Sequence, residues 1–248
     1  MLYHYDTSSL LPYIDWSYYH HAWMVKGGTP EAEALQAEAL EWLHAHDTAI
    51  TVQALCQPFE AHSEGDDIII YGGEGNSKTF PMRLPMLRQQ QTGADGYTLS
   101  VADFIRPDND TLHLFATAAH TADDSLMAQT LAVRLAEAAA EKLDHDLHHV
   151  VPGMSHSGLR PAVGYPCMPD LSINHLINQL LDFGTIGIRL TEHGAMLPQA
   201  SVSGLLIDEP RARYFAIGPI TEEQLADYAR RRGLSADTLR PYLRHVIP

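Results

Sequence analysis

The chain has 248 residues, 45% of them apolar, and sixteen Lys and Arg against thirty-one Asp and Glu give a formal net charge of −15. That is enough apolar material for a sizeable core, and the negative balance repels a phosphate backbone over most of the surface, so nucleic acid is not an expected partner. No stretch approaches the roughly 18 apolar residues of a membrane span, and Met1-Leu2-Tyr3-His4-Tyr5-Asp6 has neither the basic start nor the apolar run of a signal peptide, which points to the cytoplasm.

In chain order, Thr29-Pro30-Glu31 reads as an N-cap, a first-turn proline and an acid, and the helical recurrence of Leu35, Ala39, Trp42, Leu43 and His46 predicts a helix over 30–46. Cys56, at the end of the apolar run 49–56, and Cys167 form no Cys-x-x-Cys pair, so neither a disulfide framework nor a thiolate zinc site is expected. The runs 49–56 and 66–71 predict strands, the second turning through Gly72-Gly73-Glu74-Gly75-Asn76 into 78–84 as a hairpin. A strand is expected over 111–119, then a long helix over 123–149 with Leu131, Leu135, Ala139, Leu143 and Leu147 along one row.

Between Arg160 and Asp170, three prolines in eleven residues forbid a continuous helix and a central strand, so this segment is expected to be a rigid loop presenting Arg160 and Tyr165, with Gly164 free to take an unusual backbone conformation. After it, Ile173, Leu176, Ile177, Leu180 and Leu181 predict a helix that ends by Gly184, and 185–190, 201–207 and 213–218 read as strands. Thr221-Glu222-Glu223-Gln224 reads as a capping box with a staple of Ile220 on Leu225, opening a helix that stops at Gly233, and a short helix starts at Ser235. Strands cluster instead of alternating with helices, which favours an α+β fold with an antiparallel sheet. Residues 1–248 show no repeat or linker and read as a single domain. Seven of the sixteen basic residues, Arg211, Arg213, Arg230, Arg231, Arg232, Arg240 and Arg244, lie near the C-terminus, either as a solvated helix face or as a surface for an acidic partner.

Several chemical motifs fail on their details. Gly72 to Thr79 nearly matches a phosphate-binding loop, but Ser77 stands where glycine is required, and Phe80-Pro81-Met82-Arg83-Leu84-Pro85 cannot start the helix that would hold the phosphate. His145, Asp146 and His149 share one predicted helix but read as a histidine-rich helix end, without a His-Glu-x-x-His pattern. Ala200-Ser201-Val202-Ser203-Gly204 lacks the first glycine of a nucleophile elbow. Asp146-Leu147-His148 begins like a cobalamin-binding signature, but Val151 occupies its glycine position.

Arg-x-x-x-Gly-Tyr at 160–165 followed by Pro-x-x-Pro-Asp at 166–170 resembles the S-adenosylmethionine-binding signature of the activation domain of cobalamin-dependent methionine synthase. The same family pattern continues along the chain. Tyr-Ile-Asp-Trp stands at 13–16, Gly-Asp-Asp-Ile-x-Ile-Tyr at 65–71, Leu-Arg-Gln-Gln at 87–90 and Ala-Asp-Phe-Ile at 102–105. Arg-Leu-Ala-Glu-Ala follows at 134–138, Thr-Glu-x-x-Ala-Met-x-Pro-x-Ala-Ser-Val-Ser-Gly at 191–204, Tyr214-Phe215, and Asp-Tyr-Ala-Arg-Arg at 227–231.

The resemblance implies a twisted antiparallel sheet flanked by helices, and S-adenosylmethionine as ligand. It implies that Arg160 pairs with the ligand carboxylate, for which a planar fork of donors is suited, and that Asp15 and Glu137 face its ammonium and sulfonium end. Tyr165 and Tyr214, with Phe215 beside them, supply aromatic surface, and the backbone of Ala162, Val163 and Gly164 reads the adenine edge. Read without the family, Asp15 is a helix cap, Glu137 pairs with Arg134 in solvent, and Tyr214 is a core residue of a strand. The implied activity is reductive methylation of cob(II)alamin carried by the cobalamin-binding module of a methionine synthase or another corrinoid protein, with a flavodoxin-like electron donor. No general acid, general base or resident metal is implied. The activation domain is expected to act as a free-standing subunit, and a module that binds S-adenosylmethionine, or an adaptor, without methyl transfer is the alternative. Leu171 replaces the histidine of the family's Pro-Asp-His, and the 150–160 connection is short.

Overall fold

A computed structural model describes residues 1–72, 81–93, 96–150 and 158–247, with the backbone alone at 149 and 150. The tip of the 72–79 hairpin, the side chain of His149 and most of the 150–160 connection lie outside the described residues.

The centre of the fold is a long antiparallel pair, β2 (Ile50–Glu64) with β5 (Asp110–Thr121), in register from Ile50 opposite Thr121 to Ala61 opposite Asp110. The free edge of β2 is shared, its start by β1 (Leu2–Tyr5) and its end by β3 (Asp67–Ile70), which pairs in turn with β4 (Met82–Pro85). On the other side β5 pairs with β8 (Ser201–Leu206), giving the order β4-β3-β2-β5-β8. A two-stranded ribbon of β6 (Arg189–Leu190) and β7 (Met196–Leu197) lies apart.

Period-two alternation sends the two faces of β2 into different cores. Val52, Ala54 and Cys56 join a cluster with Leu131, Leu135, Ala139 and Leu143 of α4 (Leu126–Val150), together with α1 (Thr7–Leu10), α2 (Trp16–Ala22) and α3 (Pro30–Ala45). Leu55, Phe59 and Ala61 join Ile173, Ile177 and Leu180 of α5 (Ile173–Leu181) on the opposite face. Each fully buried leucine contributes roughly 1.5–3 kcal/mol by leaving water. The row predicted on α4 is the buried row, and its run of alanines lets the helix sit close enough for Thr117 Oγ1 to donate to Ala136 O at 2.8 Å. Cys56 and Cys167 are both buried and free, and burial pushes their thiols up to about 12 and about 11.

Helix starts follow their caps, with Thr29 accepting from Ala32 N and Thr221 from Gln224 N. The box at Thr221 is only half formed, because Gln224 Nε2 donates across to Arg88 O. Ile220 and Leu225 are both buried at the start of α6 (Glu222–Arg232), which α7 (Ala236–Leu239) follows.

Three expectations are corrected. Residues 183–186 form a 3-10 turn and only Arg189–Leu190 of the 185–190 run is a strand. Residues 213–218 form no strand, and Tyr214 is 60% exposed instead of core. The C-terminal arginines do not share one solvated face, since Arg231 reaches the buried Asp67 and Arg232 the buried Asp170, whereas Arg211 and Arg230 stay exposed. Arg231 also donates to Met86 O at 3.0 Å, and Tyr228 Oη to Asp170 at 2.8 Å. These bonds fasten α6 to the sheet edge and to the end of the proline-rich loop.

Asp170 is 1% exposed and holds both Tyr228 and Arg232, so Asp170→Ala strands a buried guanidinium and a buried phenol. Chemical denaturation should show a loss of about 3–5 kcal/mol; a loss below about 1 kcal/mol means that the clamp does not carry this corner of the fold.

Candidate functional site

The proline-rich loop docks by backbone. Leu159 and Ile207 exchange N–H to O bonds at 2.9 Å, Leu205 N donates to Pro161 O at 3.0 Å, and Val163 N to Ser203 O at 2.9 Å. Pro161 has no N–H and takes part through its carbonyl alone, as a proline at a sheet edge can. Gly204 makes the approach possible, because a Cβ there would stand 2.2 Å from Pro161 O and 2.9 Å from Ala162 Cα. The loop then closes on itself, with Gly164 N donating to Met168 O and Met168 N to Tyr165 O, both at 2.8 Å. Gly164 has φ +91, and a Cβ on it would meet Leu171 Cδ2 at 2.9 Å, so this corner admits only glycine without rearrangement.

Docked in this way, the loop faces the outward side of α4. Arg134, Glu137 and Glu141 follow the i, i+3, i+7 spacing opposite the buried leucines, and so fall in one row. Together with Tyr13, Asp15 and Tyr18 from the N-terminal segment, and with Arg160, Gly164, Tyr165 and Tyr214, they line a cavity of about 870 Å³. Six of the nine residues singled out from the sequence therefore meet around one space. Ala162 and Val163 are buried behind it in the pairing with β8, and Phe215 packs on Phe104 with ring centroids 6.2 Å apart.

Asp15 both caps α2 and lines the cavity, its Oδ1 accepting from Ser17 N at 2.9 Å and from Ser17 Oγ. Those bonds, the hydroxyl's first, outweigh the small desolvation and hold its carboxyl below the usual carboxylate range. Glu137 accepts from the Tyr165 hydroxyl instead of pairing with Arg134, whose guanidinium lies 5.5 Å from the centre of the Tyr18 ring. Burial first, and then the Glu137 charge, raise the Tyr165 phenol, which stays a donor. Arg160 donates through Nη2 to Glu141 Oε2 at 2.8 Å, while Nε and Nη1 are buried without a hydrogen-bond partner among the described residues. Burial opposes the Arg160 charge, but Tyr214, Glu141 and Glu137 more than offset it and raise its pKa. Tyr214 Oη donates to Arg160 O at 3.0 Å and so ties the exposed ring to the loop.

Tyr13, Tyr18 and Glu141 escaped the sequence reading. Glu141 could have been found from its place in the 134, 137, 141 row, whereas nothing in the sequence places the N-terminal tyrosines against α4. The other motifs have structural ends: Ser203 donates to Asn174 and Ser201 to Pro198 O, His145 bonds the Tyr13 hydroxyl, and Asp146 pairs with Lys142.

Fold and site define an α+β domain in which a curled antiparallel sheet carries a charged, aromatic cavity. The chain belongs to the family described as vitamin B12 dependent methionine synthase, activation domain, whose model matches residues 6–233. It is similar to a solved structure described as the MetH reactivation domain bound to AdoHcy, with 29% identity, a TM-score of 0.89, and coverage of 100% of this chain and 90% of that one. The curled sheet with flanking helices is thus the fold of that family. Among the described residues no helix is long and apolar enough to cross a membrane.

Adding one methyl at Gly204 forces the loop off β8. Gly204→Ala is expected to lower the melting temperature and to increase proteolytic cleavage near Arg160; a variant as stable and as resistant as the parent refutes this account of the docking. Ser17→Ala removes the hydroxyl that most depresses Asp15, so its carboxyl should titrate nearer the ordinary value in an NMR titration. Since a depressed carboxyl stabilises the fold above its unfolded pKa and loses that effect as pH falls through the folded one, the variant should lose less stability on acidification.

Proposed function

We propose that residues 1–248 form one domain that binds S-adenosylmethionine in the 870 Å³ cavity and supports reductive methylation of cobalamin. The cobalamin is held by the cobalamin-binding module of a methionine synthase or related corrinoid methyltransferase, and a flavodoxin-like protein supplies the electron. The reading rests above all on one observation: a guanidinium with two unpartnered nitrogens, three carboxylates and several tyrosine rings converge on one space large enough for a nucleoside-sized ligand. The likeness to a domain whose structure holds AdoHcy supports the same ligand class.

The donor set fits the ligand's parts. Arg160 offers a planar fork to a carboxylate, and Asp15 and Glu137 offer negative charge to an ammonium and a sulfonium. Tyr165 and Tyr214 offer ring surface to the adenosine. The N–H groups of Val163 and Gly164 are bonded to Ser203 and Met168 and Ala162 O accepts from Tyr165 N, so it is the carbonyl oxygens of Val163 and Gly164 that remain to receive an adenine amino group.

When bound, S-adenosylmethionine supplies a methyl group on a positively charged sulfur, which leaves as a neutral thioether when a reduced corrinoid takes the methyl. No proton moves in that transfer. The protein's own work is to hold the amino-acid end with Arg160 and the acids, to fix the ring end through a loop whose backbone is pinned to β8, and to set the field around the sulfur.

Calorimetric titration of S-adenosylmethionine into the purified chain is expected to saturate. Arg160→Ala should weaken binding at least about tenfold, because a charge-assisted hydrogen bond contributes about 1.5–3 kcal/mol. Methylation of chemically reduced cobalamin that depends on the chain separates activation from binding alone. Absence of saturable binding refutes the proposal, and binding without methyl transfer reduces it to a ligand-binding module.

A further inference from the structure

The charges around the cavity already have partners. The Tyr165 hydroxyl engages Glu137, Ser17 engages Asp15, and Glu141 Oε2 holds Arg160 Nη2 at 2.8 Å. Glu141 lies one turn along α4 from Glu137 and lines the cavity. Its side chain is 55% exposed, whereas that of Arg160 is 13% exposed. The other two nitrogens of the fork are buried and have no partner among the described residues. A carboxylate entering the cavity therefore meets a fork that has one nitrogen occupied by a resident carboxylate and the other two closed off.

We infer that Glu141 is a specificity-determining residue of this cavity, a resident carboxylate that stands in for the carboxylate of an amino-acid-bearing ligand and competes with it for Arg160. The inference rests on the reading that the ligand's carboxylate pairs with Arg160. Arg160 Nε and Nη1 are closed off where the fork lies against Glu141, so the ligand gains its contact with Arg160 by turning the fork and loosening or displacing Glu141. The Glu141 carboxylate is the half-exposed partner and can swing into water at modest cost, while the buried Nε and Nη1 gain partners if the fork turns toward the ligand. A ligand that lacks the amino-acid end leaves the pair closed. Glu141 keeps the arginine neutralised until the ligand's carboxylate replaces it, and the ligand's affinity is set by the difference between the two carboxylates.

The test is isothermal calorimetry at fixed ionic strength on the parent chain and on Glu141→Gln, whose amide keeps an oxygen for Arg160 but carries no charge. Two ligands are compared: S-adenosylhomocysteine, which has the carboxylate but no sulfonium charge, and 5′-methylthioadenosine, which has the adenosine and thioether without the amino-acid end. Glu141→Gln is expected to bind S-adenosylhomocysteine about fivefold tighter, the scale of an ion pair with one partner in solvent, and to leave 5′-methylthioadenosine unchanged. Matching circular dichroism and thermal melts establish that both proteins are folded. Unchanged or weaker binding of S-adenosylhomocysteine to the variant, with the parent binding it, overturns the competition and leaves the binding reading standing. Equal tightening of both ligands overturns it as well, by revealing a general charge effect. No binding of S-adenosylhomocysteine to either protein overturns the binding reading and the role of Glu141 together.

Discussion

The contact on which the site depends is the close approach of Pro161 and Ala162 to Gly204. The hold is a set of backbone bonds to Ser203, Leu205 and Ile207, and it exists because β8 has no Cβ at position 204, where one would overlap a carbonyl oxygen. Everything the loop presents inherits its position from that docking. Arg160 precedes the contact and Tyr165 follows it, so both side chains reach the outward row of α4, and Tyr214 is tied to the same loop through Arg160 O. A rigid backbone platform suits a ligand site, because the groups it carries lose little freedom when a ligand arrives.

The ion pairs divide by burial into two kinds with different consequences. Asp67 and Asp170 are nearly inaccessible, and each has its partners in place: Arg83 and Arg231 for the first, and Tyr228, Arg232 and Ser172 N for the second. Such fully bonded buried acids cost little once formed and a great deal when one partner is removed, so they fix the C-terminal helices against the sheet. The cavity pairs are incomplete by comparison. Glu141 is half in solvent and Arg160 has two nitrogens without a partner, which leaves charge available for exchange with a ligand. Arg231 and Arg232 of α6 thus serve as internal fasteners, and Arg160 as a cavity-facing group at the loop.

Much of the architecture was legible from local pattern. The Thr29 cap, the leucine row of α4, the stop of α6 at Gly233 and the apolar runs that became β3 and β8 follow from periodicity and capping, which depend on residues close in sequence. The errors fell where tertiary pairing overrides pattern. The β2 strand runs on through Pro58 to Glu64, past the predicted end at 56, because β5 pairs along it as far as Ala61 and β3 takes over its other edge from Ala61. The apolar run 213–218 looked like a strand, but the described residues offer it no pairing edge, and it packs as irregular chain with Ile217 N bonded to Pro166 O. In the first twenty-two residues only the cap at Asp15 was legible, because β1, α1 and α2 are short and their apolar residues pack on α4 and β2.

The sequence by itself determined the sheet-and-helix class, the proline-rich loop with its permissive glycine and, through its resemblance to a known activation domain, the residue types around the cavity. It could do so because prolines, caps and side-chain periods act over a few residues. Only the tertiary structure decided that Asp15, Glu137 and Arg160 line one cavity, that Tyr165 bonds Glu137, that Glu141 holds Arg160, and that Arg231 and Arg232 turn inward. Those are contacts between segments far apart in the chain. Which carboxylate meets which guanidinium depends on how closely two backbones can approach, and at Gly204 that distance is set by the absence of a single carbon atom.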